Sequence, residues 1–171
     1  MSHLKDVEKK KRMDDPVQFK KMMEAIVGLA KKAPSINQLI EFSGDAEENL
    51  YGVANHLYET GHYKEGIDVF DKLFMLDVSS YRYALGAAAC RHQLKQYAKA
   101  IAYYMIAGIN NPSNPAPSFF AAECSLELGE KESALLFFQE TLQKIGDSKE
   151  FHTIKERSEL LIPALKNPTQ E

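Results

Sequence analysis

Five side chains of this sequence could carry out chemistry if the fold brought them together. His92 and Glu123 could form an acid–base pair, and His56, Cys90 and Cys124 are residue types that hold transition metals. The last three are 34 residues apart, which is not the spacing of zinc ligands, and free cysteine is usually a core residue. The sequence contains no phosphate-binding glycine loop, zinc-protease motif or nucleophile elbow. It therefore predicts no enzyme, no bound metal and no cofactor.

The spacing of 34 residues extends beyond these side chains, because the stretch 47–148 repeats itself three times without a gap. Small residues recur at two positions of the period and large aromatic residues at a third: Ala54, Ala88 and Ala122; Gly66, Ala100 and Ala134; Phe70, Tyr104 and Phe138. This period and these residue types are typical of the tetratricopeptide repeat, a pair of antiparallel helices that stacks on its neighbours. The sequence predicts an all-α solenoid of three repeats, 47–80, 81–114 and 115–148.

The turn inside each repeat also recurs, with one exception. Gly61 and Gly129 lie at the turns of the first and third repeats, where glycine accepts a positive φ without steric cost. Lys95 takes that place in the second repeat, and we expect a slightly different turn there.

Three helices are predicted outside the repeats, and one of them is a short apolar helix with Ile36, Leu39 and Ile40. Residues 1–14 form a mobile charged arm, and residues 15–46 contain an amphipathic helix that ends at Pro34. Its apolar face could cap the solenoid, form a homodimer or do both, and the residues proposed for dimerisation are Phe19, Met22, Met23 and Ile26. Residues 149–171 are predicted to form a C-terminal capping helix and a tail. Pro163 and Pro168 mark the end of this helix.

The first helix of each repeat should line the concave side of the solenoid. Helical spacing places a set of side chains there: Tyr51, Asn55, Tyr58, Arg82, Leu85, Ala89, His92, Phe119, Glu123 and Leu126. Many of them are apolar or aromatic, and an exposed apolar strip in a groove indicates a site for an extended peptide. As an alternative, the N-terminal helix could fold back over part of this strip.

A groove that grips a peptide carboxylate is excluded by residue type. Such grooves use lysine, arginine and asparagine, whereas the equivalent positions here hold Tyr51, Asn55, Gly86, Ala116 and Phe120. Without cationic donors, no bidentate grip on a carboxylate can form.

Charge and hydropathy exclude several other classes of partner. The net charge of −3 does not favour nucleic acid, and no apolar run is long enough to span a bilayer. No secretory signal is visible at the N-terminus, and two cysteines fit a reducing compartment. We expect a cytoplasmic protein that binds neither nucleic acid nor a membrane.

Two short segments are more specific than the repeat itself. The Gly-x-x-x-Cys-Arg segment that ends at Arg91 and the Ala-Ala-Glu-Cys segment that ends at Cys124 are not required by a generic tetratricopeptide repeat. With Tyr51, Tyr58 and Gly61 they resemble the class II type III secretion chaperones, the low-calcium-response protein H or SycD-like family. The resemblance covers residues 15 to about 165.

The resemblance implies a bacterial cytoplasmic chaperone, often a homodimer, that holds hydrophobic translocator proteins before export. It also implies that an N-terminal stretch of the translocator lies extended in the concave groove, where the family's tyrosines match Tyr51 and Tyr58. The alternative is a generic adaptor of the same fold that joins folded partners.

Overall fold

The computed structural model describes residues 46–146 and 148–166, and within them all regular structure is helical. The helices are α1 (Ala46–Glu59), α2 (Tyr63–Leu76), α3 (Tyr81–Gln93), α4 (Tyr97–Asn110), α5 (Ala116–Glu127), α6 (Lys131–Ile145) and α7 (His152–Lys166). The predicted charged arm and N-terminal helix, with Phe19, Met22, Met23 and Ile26, lie outside the described residues.

The first six helices form three antiparallel pairs, and each helix packs on the next one in the chain. Helices α1, α3 and α5 are the first members of the pairs, and α2, α4 and α6 are the second members. Helix α7 packs mainly on α6 and covers the open side of the third pair. The prediction of an all-α tetratricopeptide solenoid with three repeats and a C-terminal capping helix is confirmed.

The close crossing of the helices depends on the recurring small residues. Ala54, Ala88 and Ala122 are fully buried. A Cβ atom added at Gly66 would lie only 2.9 Å from the Cys90 Sγ of the next repeat. The cysteines are free and buried, and burial raises the pKa of both thiols to about 12. They act as small core residues that stay protonated at neutral pH.

The turn at Lys95 differs from our expectation, because it has the same conformation as the two glycine turns. Lys95 adopts a φ of 58°, beside 79° at Gly61 and 75° at Gly129. Its amide donates to the His92 carbonyl at 2.9 Å, as the Gly61 amide does to Tyr58 at 3.1 Å. The expected different turn was wrong because the packing of α3 on α4 and these hydrogen bonds fix the backbone even without a glycine.

The C-terminal helix also runs further than expected. Pro163 lies inside α7, which continues to Lys166, so Pro163 does not mark the end of the helix. Leu161, Ile162 and Leu165, on both sides of the proline, pack on the apolar cluster of the third repeat. We attribute the continuation of the helix to this packing, which offsets the hydrogen bond that proline cannot make.

Arg91 of α3 contacts the second helices of the first two repeats, through an ion pair on one side and a ring on the other. Arg91 donates to the Asp71 carboxylate at 2.7 Å and to the Ala87 carbonyl at 3.1 Å, and its guanidinium lies 4.2 Å from the centre of the Tyr103 ring. Asp71 belongs to α2 and Tyr103 to α4. Arg91 therefore fixes α3, the central helix of the concave side, against both of its neighbours.

A candidate peptide-binding cleft

A cleft of about 490 Å³ lies where α1, α3 and α5 come together. Side chains of these three helices form its walls, and two aromatic side chains of α2 and α4 reach its floor. The lining residues are Tyr51, Asn55, Tyr58, Phe70, Arg82, Leu85, Gly86, Ala89, His92, Gln93, Tyr104, Phe120 and Glu123.

At the first repeat, the wall of the cleft is a fixed group of rings. The Tyr51 ring centre lies 6.2 Å from that of Phe70 and 5.8 Å from that of Tyr83. The Arg82 guanidinium lies over the Tyr51 ring at 4.5 Å, and it forms an ion pair of 3.2 Å with Glu48. These contacts hold Tyr51 in place, so its ring can act as a rigid contact surface.

The floor of the cleft is aromatic and contains one polar pair. The Tyr104 and Phe120 rings stack with their centres 5.6 Å apart and 26° between their planes. The Tyr104 hydroxyl lies 3.3 Å from the His92 Nδ1 atom. Burial strongly raises the pKa of Tyr104, so this hydroxyl stays protonated and can donate a hydrogen bond.

The two residues that could have formed an acid–base pair have other partners. His92 contacts Tyr104, whereas the Glu123 carboxylate pairs with Arg157 of α7 at 2.9 Å. Among the described residues, no group of three or more metal-binding side chains is found. The cleft is therefore a largely aromatic surface, and its two charged lining residues, Arg82 and Glu123, are both held in ion pairs.

Of the ten side chains that the sequence predicts for the groove, eight line the cleft and two lie elsewhere. Phe119 is only 5% exposed, and its ring packs 5.9 Å from that of Phe138. Leu126 packs on the same apolar cluster as Ile154 of α7. Both leave the predicted surface because α7 covers the third repeat, and Phe120 takes the cleft position instead of Phe119.

The sequence prediction missed the residues that reach the cleft from the second helices. Phe70 and Tyr104 occupy the same position of the repeat, one period apart. Gly86 of α3 has no side chain, and the Phe70 ring fills the space where a Cβ atom would lie. An aromatic residue opposite a glycine was the signal that could have located this part of the floor.

Comparisons with known proteins place this architecture in a family. No family model matches the chain. The low calcium response locus protein H of Yersinia pestis is 36% identical over 155 residues, which is 89% of each protein. The chaperone SycD of Yersinia enterocolitica, in complex with a peptide of the translocator YopD, has a TM-score of 0.71 and 32% identity over 76% of this chain and 99% of its own. PcrH of Pseudomonas aeruginosa has a TM-score of 0.67 and 29% identity over 73% of this chain and 95% of its own.

The fold and the cleft together define a tetratricopeptide protein with an aromatic concave surface. The identity and coverage assign the chain further: it belongs to the family of the low calcium response locus protein H, the translocator chaperones of type III secretion. In the described residues, no helix is both long and apolar enough to cross a membrane.

Proposed function

We propose that this protein is a chaperone of type III secretion translocators in the bacterial cytoplasm. It binds an extended N-terminal segment of a hydrophobic translocator in the concave cleft, and it keeps the translocator soluble and apart from its partners before export. The observation that carries the proposal is the aromatic cleft of about 490 Å³ across three repeats.

The shape of the cleft favours an extended segment. Most of its lining residues come from α1, α3 and α5, so a bound chain must cross three parallel helices. An extended peptide can place alternate side chains in successive pockets between such helices. Leu85, Ala89 and Phe120 provide apolar contact, and Asn55 and Gln93 can hydrogen-bond to a peptide backbone.

Two solved relatives support the choice of client. SycD was crystallised with a peptide of the translocator YopD, and PcrH with the chaperone binding region of PopD. The second is 28% identical to this chain with a TM-score of 0.70. No nucleotide is required for this function, because holding a segment needs binding free energy alone.

We also propose that the chain forms a homodimer through the face with Phe19, Met22, Met23 and Ile26. A relative, SycD, forms dimers in its crystals, including an alternative dimer. Removing residues 1–33 should then shift the mass measured by light scattering from that of a dimer towards that of a single truncated chain. A mass equal to two truncated chains would exclude this face.

The test of the cleft is a titration with a fluorescent peptide from the N-terminal region of a translocator. Replacing Tyr51 and Tyr58 together by alanine removes two rigid contact surfaces, and we expect at least about a tenfold loss of affinity. Leu160→Ala is the control, because Leu160 lies on α7, is 75% exposed and does not line the cleft.

Equal affinity of the double variant and the wild type would contradict binding in the cleft. Co-expression with a full-length translocator separates the chaperone from a generic adaptor. A chaperone increases the soluble fraction of the translocator, whereas an adaptor binds a folded partner and leaves this fraction unchanged.

A further inference from the structure

The solvent-facing side of α4 carries four residues without a charge or a hydrogen-bonding side chain. Ala98, Ala102, Met105 and Ile109 are all exposed, with Met105 at 52% and Ile109 at 74%. Their spacing of four, three and four residues places them in one line along the helix. We call these four residues the α4 seam.

The two neighbouring helices do not have such a seam. The equivalent positions of the repeat on α2 and α6 are Lys64, Asp68, Asp71 and Met75, and Glu132, Leu136, Gln139 and Gln143. Three of the four positions on each of these helices are polar, and the exposed apolar residue is a single one, Met75 or Leu136. The exception in the second repeat therefore indicates a surface that another helix covers.

The sizes of the seam residues decide which helix fits. If a second copy of α4 packs antiparallel about a two-fold axis, Ala98 lies opposite Ile109 and Ala102 lies opposite Met105. Each small residue then faces a large one, at all four contacts. A parallel pair would put Met105 against Met105 and leave a gap between the alanines, so the pattern is self-complementary only in the antiparallel arrangement.

A cavity beside the seam gives its large side chains room to adjust. Between α2 and α4 the Phe74 ring packs on Tyr103 with their centres 5.5 Å apart. One period later, Gly108 replaces Phe74, and a cavity of about 170 Å³ remains that Met105 and Ile109 help to line. Met105 and Ile109 therefore have open space beside them.

We infer that the α4 seam is a self-association surface, which binds the α4 seam of a second copy in an antiparallel pair. It shares no residue with the N-terminal face or with the concave cleft. One helix on each side buries less area than a standard protein interface, so the association depends on protein concentration. With the N-terminal face it would let dimers pair at high concentration.

Sedimentation of the full-length protein over a range of concentrations tests this surface. Ala102→Glu places an unpaired carboxylate opposite Met105, and we expect self-association through the seam to weaken at least about tenfold. The mass of the largest species should fall by half. Leu160→Glu adds the same charge at an exposed site on α7 and should leave the mass unchanged.

A mixing experiment tests the antiparallel register. Ala98→Glu and Ile109→Lys oppose each other only in the antiparallel pair, so a mixture of these two variants should associate more tightly than either variant alone. A mixture of Ala98→Glu and Ala98→Lys should not, because Ala98 and its copy lie at opposite ends of the antiparallel pair, whereas it would in a parallel pair. Restoration by the second mixture alone would overturn the proposed arrangement.

The binding of the translocator peptide separates this inference from the proposed function. The seam does not line the cleft, so Ala102→Glu should bind the peptide as the wild type does. An equal mass of Ala102→Glu and wild type at every concentration would show that the seam does not join two copies. If this variant kept its mass but lost the full-length translocator, the seam would be a client surface and the inference would be wrong.

Discussion

At the scale of single residues, the ionisable side chains around the cleft are already engaged. Arg82 pairs with Glu48 and lies over Tyr51, and Glu123 pairs with Arg157. A bound segment therefore meets rings and amides rather than free charges. Such a surface favours apolar side chains and discriminates little by charge, which suits a chaperone for hydrophobic proteins.

Among the described residues, Lys95 is the one residue other than glycine with a positive φ. Its φ of 58° falls in the left-handed region, and the equivalent residues of the other two repeats, Gly61 and Gly129, are glycines. We expect Lys95→Gly to raise the free energy of unfolding by about 0.5–1 kcal/mol, because relief of the backbone strain outweighs the greater freedom of glycine in the unfolded chain. Urea unfolding followed by circular dichroism measures the change.

The matched variant Gly129→Ala, at the equivalent turn of the third repeat, should change the free energy of unfolding in the opposite direction. Gly129→Ala introduces a Cβ atom at a φ of 75°, and it should lower the free energy of unfolding by about 1 kcal/mol. If Lys95→Gly were destabilising, the turn of the second repeat would depend on a contact of the lysine side chain rather than on its backbone.

At the scale of helices, the period of 34 residues correctly predicted which helices pair. It did not predict which side of α5 faces the cleft. Repeat spacing puts Phe119 at the position of Tyr51 and Leu85, which line the cleft. That inference assumes the same neighbours in every repeat. The third repeat has α7 beside it, so Phe119 turns into the core and Phe120 faces the cleft. A sequence period carries no information about such an end effect.

Two glycines inside helices should respond to alanine in opposite ways. At Gly86 of α3 the Phe70 ring occupies the space of a Cβ atom, so Gly86→Ala must displace a buried ring and should cost about 1–3 kcal/mol. At Gly108 of α4 the nearest atoms are the Lys144 Nζ at 3.7 Å and the Pro117 Cβ at 3.8 Å, which are ordinary contacts. Gly108→Ala should stabilise the protein by about 0.5 kcal/mol, since alanine is the better helix former.

Thermal and urea unfolding of the two variants provide the measurement, with each serving as the control for the other. Gly86 also lines the cleft, so Gly86→Ala should weaken peptide binding as Phe70 moves, whereas Gly108→Ala should not. Equal stability of Gly86→Ala and the wild type would mean that the Phe70 ring can adopt another position without loss of packing.

At the scale of the whole molecule, the cleft and the α4 seam lie on different sides of one solenoid. The cleft is lined mainly by α1, α3 and α5, with Tyr104 of α4 at its floor, while the seam is the outer side of α4. The sequence predicted the cleft because apolar residues recur on the first helices. The seam can also be recognised in the sequence, but only by comparing the equivalent positions on α2, α4 and α6, which shows that the second repeat is the exception.

The C-terminal helix decides how the end of the solenoid behaves. Ile154, Leu161, Ile162 and Leu165 cover the cluster around Phe119, and Arg157 holds Glu123 at the edge of the cleft. A chain that ends after Gly146 should lose about 3–5 kcal/mol of stability, because four partly buried apolar side chains are removed. It should also bind an environment-sensitive apolar dye, since Phe119 and Phe138 become accessible.

A chain that ends after Lys166 is the control and should match the wild type. In a solenoid each repeat contacts only its neighbours, so the loss of α7 should unfold the third repeat first and leave the first two to a later transition. Two separate transitions in urea would agree with this order. Peptide binding should be lost in the first transition, because Phe120 and Glu123 of the third repeat line the cleft. A single transition at the wild-type midpoint would mean that α7 is a passive extension, and that burial of Phe119 has a different cause.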